Sequence, residues 1–331
     1  MFTLMARARK HQISLESTPY YHVMSRCVRR AFLCGVDRVS GKSFEHRRGW
    51  VEDRVRVLAS LFSIEICAYA ILSNHYHLVV KLIPHEADDW SDDEVLERWA
   101  TLFRGPLLVR RFCAGKHLSA AELDTLRSIT AVYRTRLACL SWFMKCLNEP
   151  IARKANAEDG CTGHFWEARF QSQPLQSEQA LFAAMAYVDL NPIRAGIADT
   201  PEQSDYTSIK TRIEKRLANS SLDEAINGLL ECGELRRWNT PVRPLLRFAD
   251  EGNPDDDPTL VGTPLALRWS EYLKLVENSG RIAVFGKRGR IDPALQPVLE
   301  RLGLSEEQWL VASTGFRKHY RRGELRLVSV S

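Results

Sequence analysis

Apolar and polar positions alternate from Pro19 to Arg26 (PYYHVMSR), and the stretch is rich in β-formers, so the pattern predicts a strand. A basic, turn-rich stretch with Gly35, Asp37, Gly41 and Gly49 follows. From Trp50 to Phe62 the period changes from two to helical, and Val51, Val55, Leu58, Ala59 and Phe62 fall on one face. Ile64 to Leu72 is a short apolar strand, Ser73-Asn74 a turn, and His75 to Ile83 a second strand. The pair reads as a hairpin.

Residues 84–135 break this rhythm. They open on an acidic run and continue as helical segments around Glu94–Phe103 and Ala120–Leu126. Leu137 to Ala155 predicts a helix that Pro150 would kink or divide. Phe165 to Leu175 (FWEARFQSQPL) predicts another strand, limited by Pro174. Ser177-Glu178 opens a helix to about Leu190, which Asn191-Pro192 and Gly196 end. Without the insert, the order is β-α-β-β-α-β with one extra helix. It predicts an α+β fold: a ferredoxin-like or RRM-type antiparallel sheet with helices on one face. Residues 1–215 form the expected core unit, with the helical insert at about 84–135. Residues 200–260 carry linker-like turn signals, and residues 216–331 read as a mainly helical C-terminal extension.

Composition narrows the class. The chain has 331 residues, 45% hydrophobic and 26% charged, which excludes disordered, collagen-like and rod-like proteins. No apolar run reaches membrane-spanning length. The longest candidate, Leu58 to Leu72, is short and carries Glu65. The N-terminus lacks a secretory apolar stretch, so a soluble, cytoplasmic, nucleoid-associated protein is expected. The net charge of +5 is unevenly spread. Residues 1–56 hold 12 Lys/Arg against 5 Asp/Glu, residues 281–322 hold 9 against 4, and Glu86 to Glu97 holds seven acids and no base. Basic ends around an acidic middle suit a polyanion partner, nucleic acid first. Eight cysteines without a C-x-x-C pair read as small buried residues in a reducing compartment.

Two places can carry chemistry. His75 and His77 flank Tyr76 in a predicted strand, so both imidazoles project from one face. Such a pair can grip one divalent ion; it can equally be two solvent-facing or hydrogen-bonded histidines. In the helix AAMAYVDLNPIRAG, Tyr187 and Asn191 are one turn apart on one face. Tyr187 suits a nucleophile and Asn191 an oxygen ligand. The same residues also suit a packed tyrosine and a helix-terminal asparagine.

Taken together, YYHVMSRCVRR (20–30), AYAILSNHYHLVV (68–80), FWEARFQS (165–172) and YVDLNPIRAGI (187–197) resemble the single-tyrosine HUH transposases. The nearest branch is the one associated with repetitive extragenic palindromes, related to the insertion-sequence-200-like transposases. The resemblance spans roughly residues 15–215. It implies a metal-binding pair at His75 and His77, a nucleophile at Tyr187, and a third ligand at Asn191. It also implies the ferredoxin-like sheet, single-stranded or hairpin DNA as partner, and a covalent 5′-phosphotyrosine. The branch leans towards monomers, with a dimer left open. Mg²⁺ or Mn²⁺ is the expected cofactor, since a divalent ion on two imidazoles and an amide oxygen would orient and neutralise a phosphate.

The basic residues then gain a role. Arg26, Arg29, Arg30, Arg47 and Arg48 are expected to contact DNA phosphates. Trp166, Arg169 and Phe170 are placed to clamp unpaired bases, with core packing favoured for Phe170. Lys287, Arg288, Arg290, Arg317, Lys318, Arg321 and Arg322 suit an accessory DNA surface or a basic tail. Two other readings stay open at this point: a regulator that binds DNA without cutting it, and an unrelated metal-dependent phosphohydrolase.

Overall fold

The computed structural model describes residues 13, 15–28, 33–37, 41–213, 242–249, 263–287 and 289. Four strands form one antiparallel sheet: β1 (Tyr20–Arg26), β2 (Ile64–Ile71), β3 (His75–Leu82) and β4 (Gln171–Pro174), in the spatial order β2-β3-β1-β4. With α1 (Arg47–Leu61) between β1 and β2, and α6 (Leu140–Asp159) between β3 and β4, this is the ferredoxin-like arrangement. The α+β class expected from the pattern is the class observed. The insert supplies α2 (Pro84–Asp89), α3 (Asp92–Leu102), α4 (Leu107–Cys113) and α5 (Ala120–Leu137). After β4 come α7 (Glu178–Asp189), α8 (Asn191–Ala195), α9 (Ser208–Ile213) and α10 (Trp269–Arg281).

Strand periodicity sorts the sheet into two faces. Tyr21, Val23, Ile64, Ile66, Tyr76, Leu78 and Val80 point to one face, where they share a buried cluster with Val51, Val55 and Leu58 of α1 and Phe143, Leu147 and Ile151 of α6. These are the helices expected on one face. The opposite face is covered as well: Ala68, Ala70 and Val79 pack with α7 residues Ala183, Ala184, Tyr187 and Val188. Covering both faces explains why β2 is buried along its whole length and lacks a polar alternation.

Leu246, Phe248, Leu265, Leu267 and the α10 residues Tyr272, Leu275 and Val276 join that second cluster. Parts of the expected linker and C-terminal extension are thus built into the core. The remainder of 216–331, including Arg288, Arg290, Arg317, Lys318, Arg321 and Arg322, lies outside the described residues.

Two local expectations change. Pro150 does not divide α6. A proline at 150 leaves the Cys146 carbonyl without its helical donor, and Arg54 Nε supplies one at 3.0 Å. The strand expected over Phe165–Leu175 is confined to Gln171–Pro174, preceded by a single bridge between Cys27 and Trp166. Phe165 and Trp166 instead pack against each other and Tyr76, and the Trp166 indole donates to Asn148 O. Part of the acidic run is tied down by ion pairs. Glu94 pairs with Arg98, Asp92 with Arg134, and Glu86 with Arg243. Asp92, Asp93 and Glu94 also occupy the first turn of α3, where negative charge suits the helix dipole.

Candidate active site

Register places the site on the face covered by α7. In β1, Met24 stands opposite His77 and Arg26 opposite His75, so Arg26, His75 and His77 project from one face. His22 faces Val79 and Gln173 on that same face. The middle residue of the triplet, Tyr76, points the other way. It is fully buried and donates its hydroxyl to Asn148 Oδ1 at 2.5 Å, tying β3 to α6.

The imidazoles of His75 and His77 lie 4.9 Å apart with planes at 84°. His75 is half-buried at the strand end, and His77 is 1% exposed. His75 Nδ1 is 2.6 Å from Asn74 Oδ1, and His77 Nδ1 is 2.9 Å from His22 Nε2. Burial lowers the His22 pKa to about 3, so that ring is neutral.

Tyr187 arrives from α7, which starts on Ser177, whose side chain accepts from the Ala180 N–H. Every residue from Leu181 to Asp189 is buried. The Tyr187 ring stands edge-on to His77 at 5.6 Å and to His22 at 6.2 Å. The structure therefore brings His75, His77 and Tyr187 together. Asn191 does not simply end this helix: the chain turns at Leu190 and Asn191 begins α8, which Gly196 closes at a left-handed φ of 69°. Asn191 is 8% exposed and makes no side-chain hydrogen bond among the described residues; its Nδ2 is buried. A buried amide left without protein partners suits a ligand.

Among the described residues, no group of three or more His, Cys, Asp or Glu is placed to hold a metal. An ion here would therefore depend on the two imidazoles plus a neutral oxygen donor, and the Asn191 side-chain oxygen is of that chemical type. Such a mixed set suits Mn²⁺ at least as well as Mg²⁺.

Reading the sequence alone missed several residues of the site. Arg194 is 6% exposed and forms no ion pair among the described residues. Burial lowers its pKa, and the Tyr187 phenol acts in the opposite direction. His22 was signalled by a polar residue in the middle of a strand. Asp189 was signalled by an acid in an apolar helix. Its carboxylate accepts from Ser208 Oγ at 2.5 Å, Ile209 N at 3.0 Å and Tyr272 Oη at 2.6 Å, which fastens α7 to α9 and α10. Burial raises the Asp189 pKa to about 6, and these hydrogen bonds moderate the rise.

The expected DNA-contact arginines divide. Arg26 stays at the site, opposite His75, and its Nε has no partner among the described residues. Arg169 is exposed. Arg47 and Arg48 are corrected. Arg47 is 0% exposed, pairs with Glu158 and Asp159, and stacks on Phe44 at 4.2 Å. Arg48 is buried, pairs with Glu45 at 2.7 Å and donates to Ile71 O at 3.2 Å. Each is committed to holding α1 and is unavailable to a DNA backbone. Arg29 and Arg30 lie outside the described residues. Phe170 is buried, as favoured. No described helix is long and apolar enough to cross a membrane.

No protein-family model matches the chain, and no curated protein matches it. Among solved structures, the chain matches a REP-associated tyrosine transposase bound to a REP hairpin, with 11% identity and a TM-score of 0.34. That match covers 73% of this chain and 99% of the other.

Proposed function

We propose that the chain cleaves and rejoins single-stranded, hairpin-bearing DNA, with Tyr187 as nucleophile and Mg²⁺ or Mn²⁺ held by His75, His77 and Asn191. The observation that carries this reading is the placement of Tyr187 edge-on to His77, on the sheet face that also presents His75 and Arg26. The bound ion would supply charge neutralisation to a phosphate oxygen.

The chain's own groups do the rest. Arg26 offers a guanidinium to the phosphate beside His75. The Tyr187 oxygen attacks phosphorus, and its phenolic proton passes to water. An oxygen–phosphorus bond forms as the bond to the 3′ oxygen breaks, and that oxygen takes a proton from water and leaves as a hydroxyl. A free phenol has a pKa near 10, so it needs help at neutral pH. The buried Arg194 cation near the phenol favours the developing phenolate. Attack by another 3′-hydroxyl on the phosphotyrosine reverses the step and joins new ends. Nucleophile and imidazoles come from one chain, so a monomer suffices.

The test mixes purified protein with labelled hairpin-bearing single-stranded DNA and Mn²⁺, Mg²⁺ or a chelator. Cleavage is expected with metal, and not with chelator or in Tyr187→Phe. Undiminished cleavage by Tyr187→Phe overturns the assignment. Hairpin binding without cleavage in either metal leaves a DNA-binding regulator instead.

A further inference from the structure

The contact between His22 and His77 plays no part in the steps above, yet it lies directly behind a proposed ligand. His22 and His77 sit diagonally across the β1–β3 pair. Their rings stack at 5.0 Å with planes 16° apart, and His22 Nε2 is 2.9 Å from His77 Nδ1. Both side chains are almost sealed from solvent.

A hydrogen bond between two imidazoles has one donor and one acceptor, so it sets both tautomers at once. With the proton on His77 Nδ1, the lone pair is on Nε2 and that nitrogen can ligate. With the proton on Nε2 it cannot. His75 shows the same device in simpler form: Asn74 Oδ1 only accepts, so His75 Nδ1 carries the proton and Nε2 the lone pair.

Resting on the metal reading above, we infer that His22 is a positioning residue that accepts the His77 Nδ1 proton and so presents His77 Nε2 to a divalent cation. Metal-bound imidazoles almost always donate their other N–H to a neighbour, and losing that neighbour costs roughly 10–100-fold in metal affinity. The usual acceptor is a carboxylate or a carbonyl. An imidazole does the same work without adding negative charge to a face meant for a nucleic-acid backbone.

The test uses the full chain without DNA. Mn²⁺ binding is titrated by electron paramagnetic resonance in wild type, His22→Leu and His22→Gln. In parallel, ¹⁵N NMR of the histidine rings in the metal-free proteins reads the His77 tautomer. Expected results are Nδ1–H at His77 in wild type, affinity about 10–100-fold weaker in His22→Leu, and affinity within a few-fold of wild type in His22→Gln, whose amide oxygen can accept. A purely structural role for His22 would lower the melting temperature of His22→Leu and leave Mn²⁺ affinity unchanged, and that result overturns the inference. So does Nε2–H at His77 in wild type. If wild type binds no Mn²⁺, the metal reading fails, while the tautomer measurement still decides what His22 does.

Discussion

Asp189 couples the packing of α7, the helix that carries Tyr187, to pH. Its carboxylate is 1% exposed and holds α9 and α10 against α7, two residues from Tyr187. Burial moves its pKa from 3.8 to about 6. At ~1.4 kcal/mol per pH unit, the charged form costs the folded state about 3 kcal/mol. The sign follows from the raised value: the stability is fully present below about pH 3.8 and is lost as pH rises through about 6. Asp189→Asn carries no charge, keeps an oxygen for Ser208 and Ile209, and offers its amide N–H to Tyr272. Relative to wild type, Asp189→Asn should therefore gain about 3 kcal/mol between acid and neutral pH. For a cooperative unit of this size that is about 6–12 °C in melting temperature. Thermal unfolding of both proteins from pH 4 to 7.5 reads the difference directly, and other titrating groups cancel. Parallel curves across that range would refute the assignment. Asp189→Ala is the complement: it strands two hydroxyls and an N–H in the core and should lose about 3–5 kcal/mol at every pH.

Other substitutions probe separate links. Arg54→Ala should cost about 2–4 kcal/mol by leaving the Cys146 carbonyl without a donor. In a Pro150→Ala background, where the helix regains an N–H for that carbonyl, the cost should fall by about 1 kcal/mol or more; strictly additive effects in denaturant titrations would contradict this. Arg26→Ala should weaken single-stranded DNA binding and flatten its salt slope by about 0.7, with little change in melting temperature. Arg47→Ala should do the reverse, losing about 3–5 kcal/mol of stability as Glu158 and Asp159 lose their partner. Arg194→Gln should slow covalent adduct formation about tenfold or more without altering DNA affinity, and an unchanged single-turnover rate would remove Arg194 from the chemistry.

β1 was legible from its period-two alternation, and β2 and β3 from apolar runs around a tight hairpin turn, all of them local signals. The shared face of His75 and His77 was legible because strand alternation fixes which face a side chain takes. Arg47 and Arg48 were not, because a basic pair in a turn-rich stretch carries no mark of its partners. The partners of Arg47, Glu158 and Asp159, lie more than a hundred residues away at the end of α6, and Arg48 reaches Glu45 and the Ile71 carbonyl. That Pro150 leaves α6 undivided was hidden for the same reason, since the donor to the Cys146 carbonyl, Arg54, comes from a different helix. The approach to β4 shows the limit of β-propensity. Phe165 and Trp166 are good strand formers, but their rings pack on each other, and Trp166 is also spent on Tyr76 and Asn148.

The account stands or falls on Tyr187 becoming covalently bound to DNA. Hairpin-bearing single-stranded DNA is incubated with wild-type protein and Mn²⁺, the complex is denatured and digested with protease and nuclease, and nucleotide-bearing peptides are mapped by mass spectrometry. The account predicts a phosphonucleotide on the peptide containing Tyr187 and on no other tyrosine peptide, absent when Mn²⁺ is chelated. A nucleotide on any other residue, or DNA cleaved with no adduct trapped on Tyr187, would contradict it.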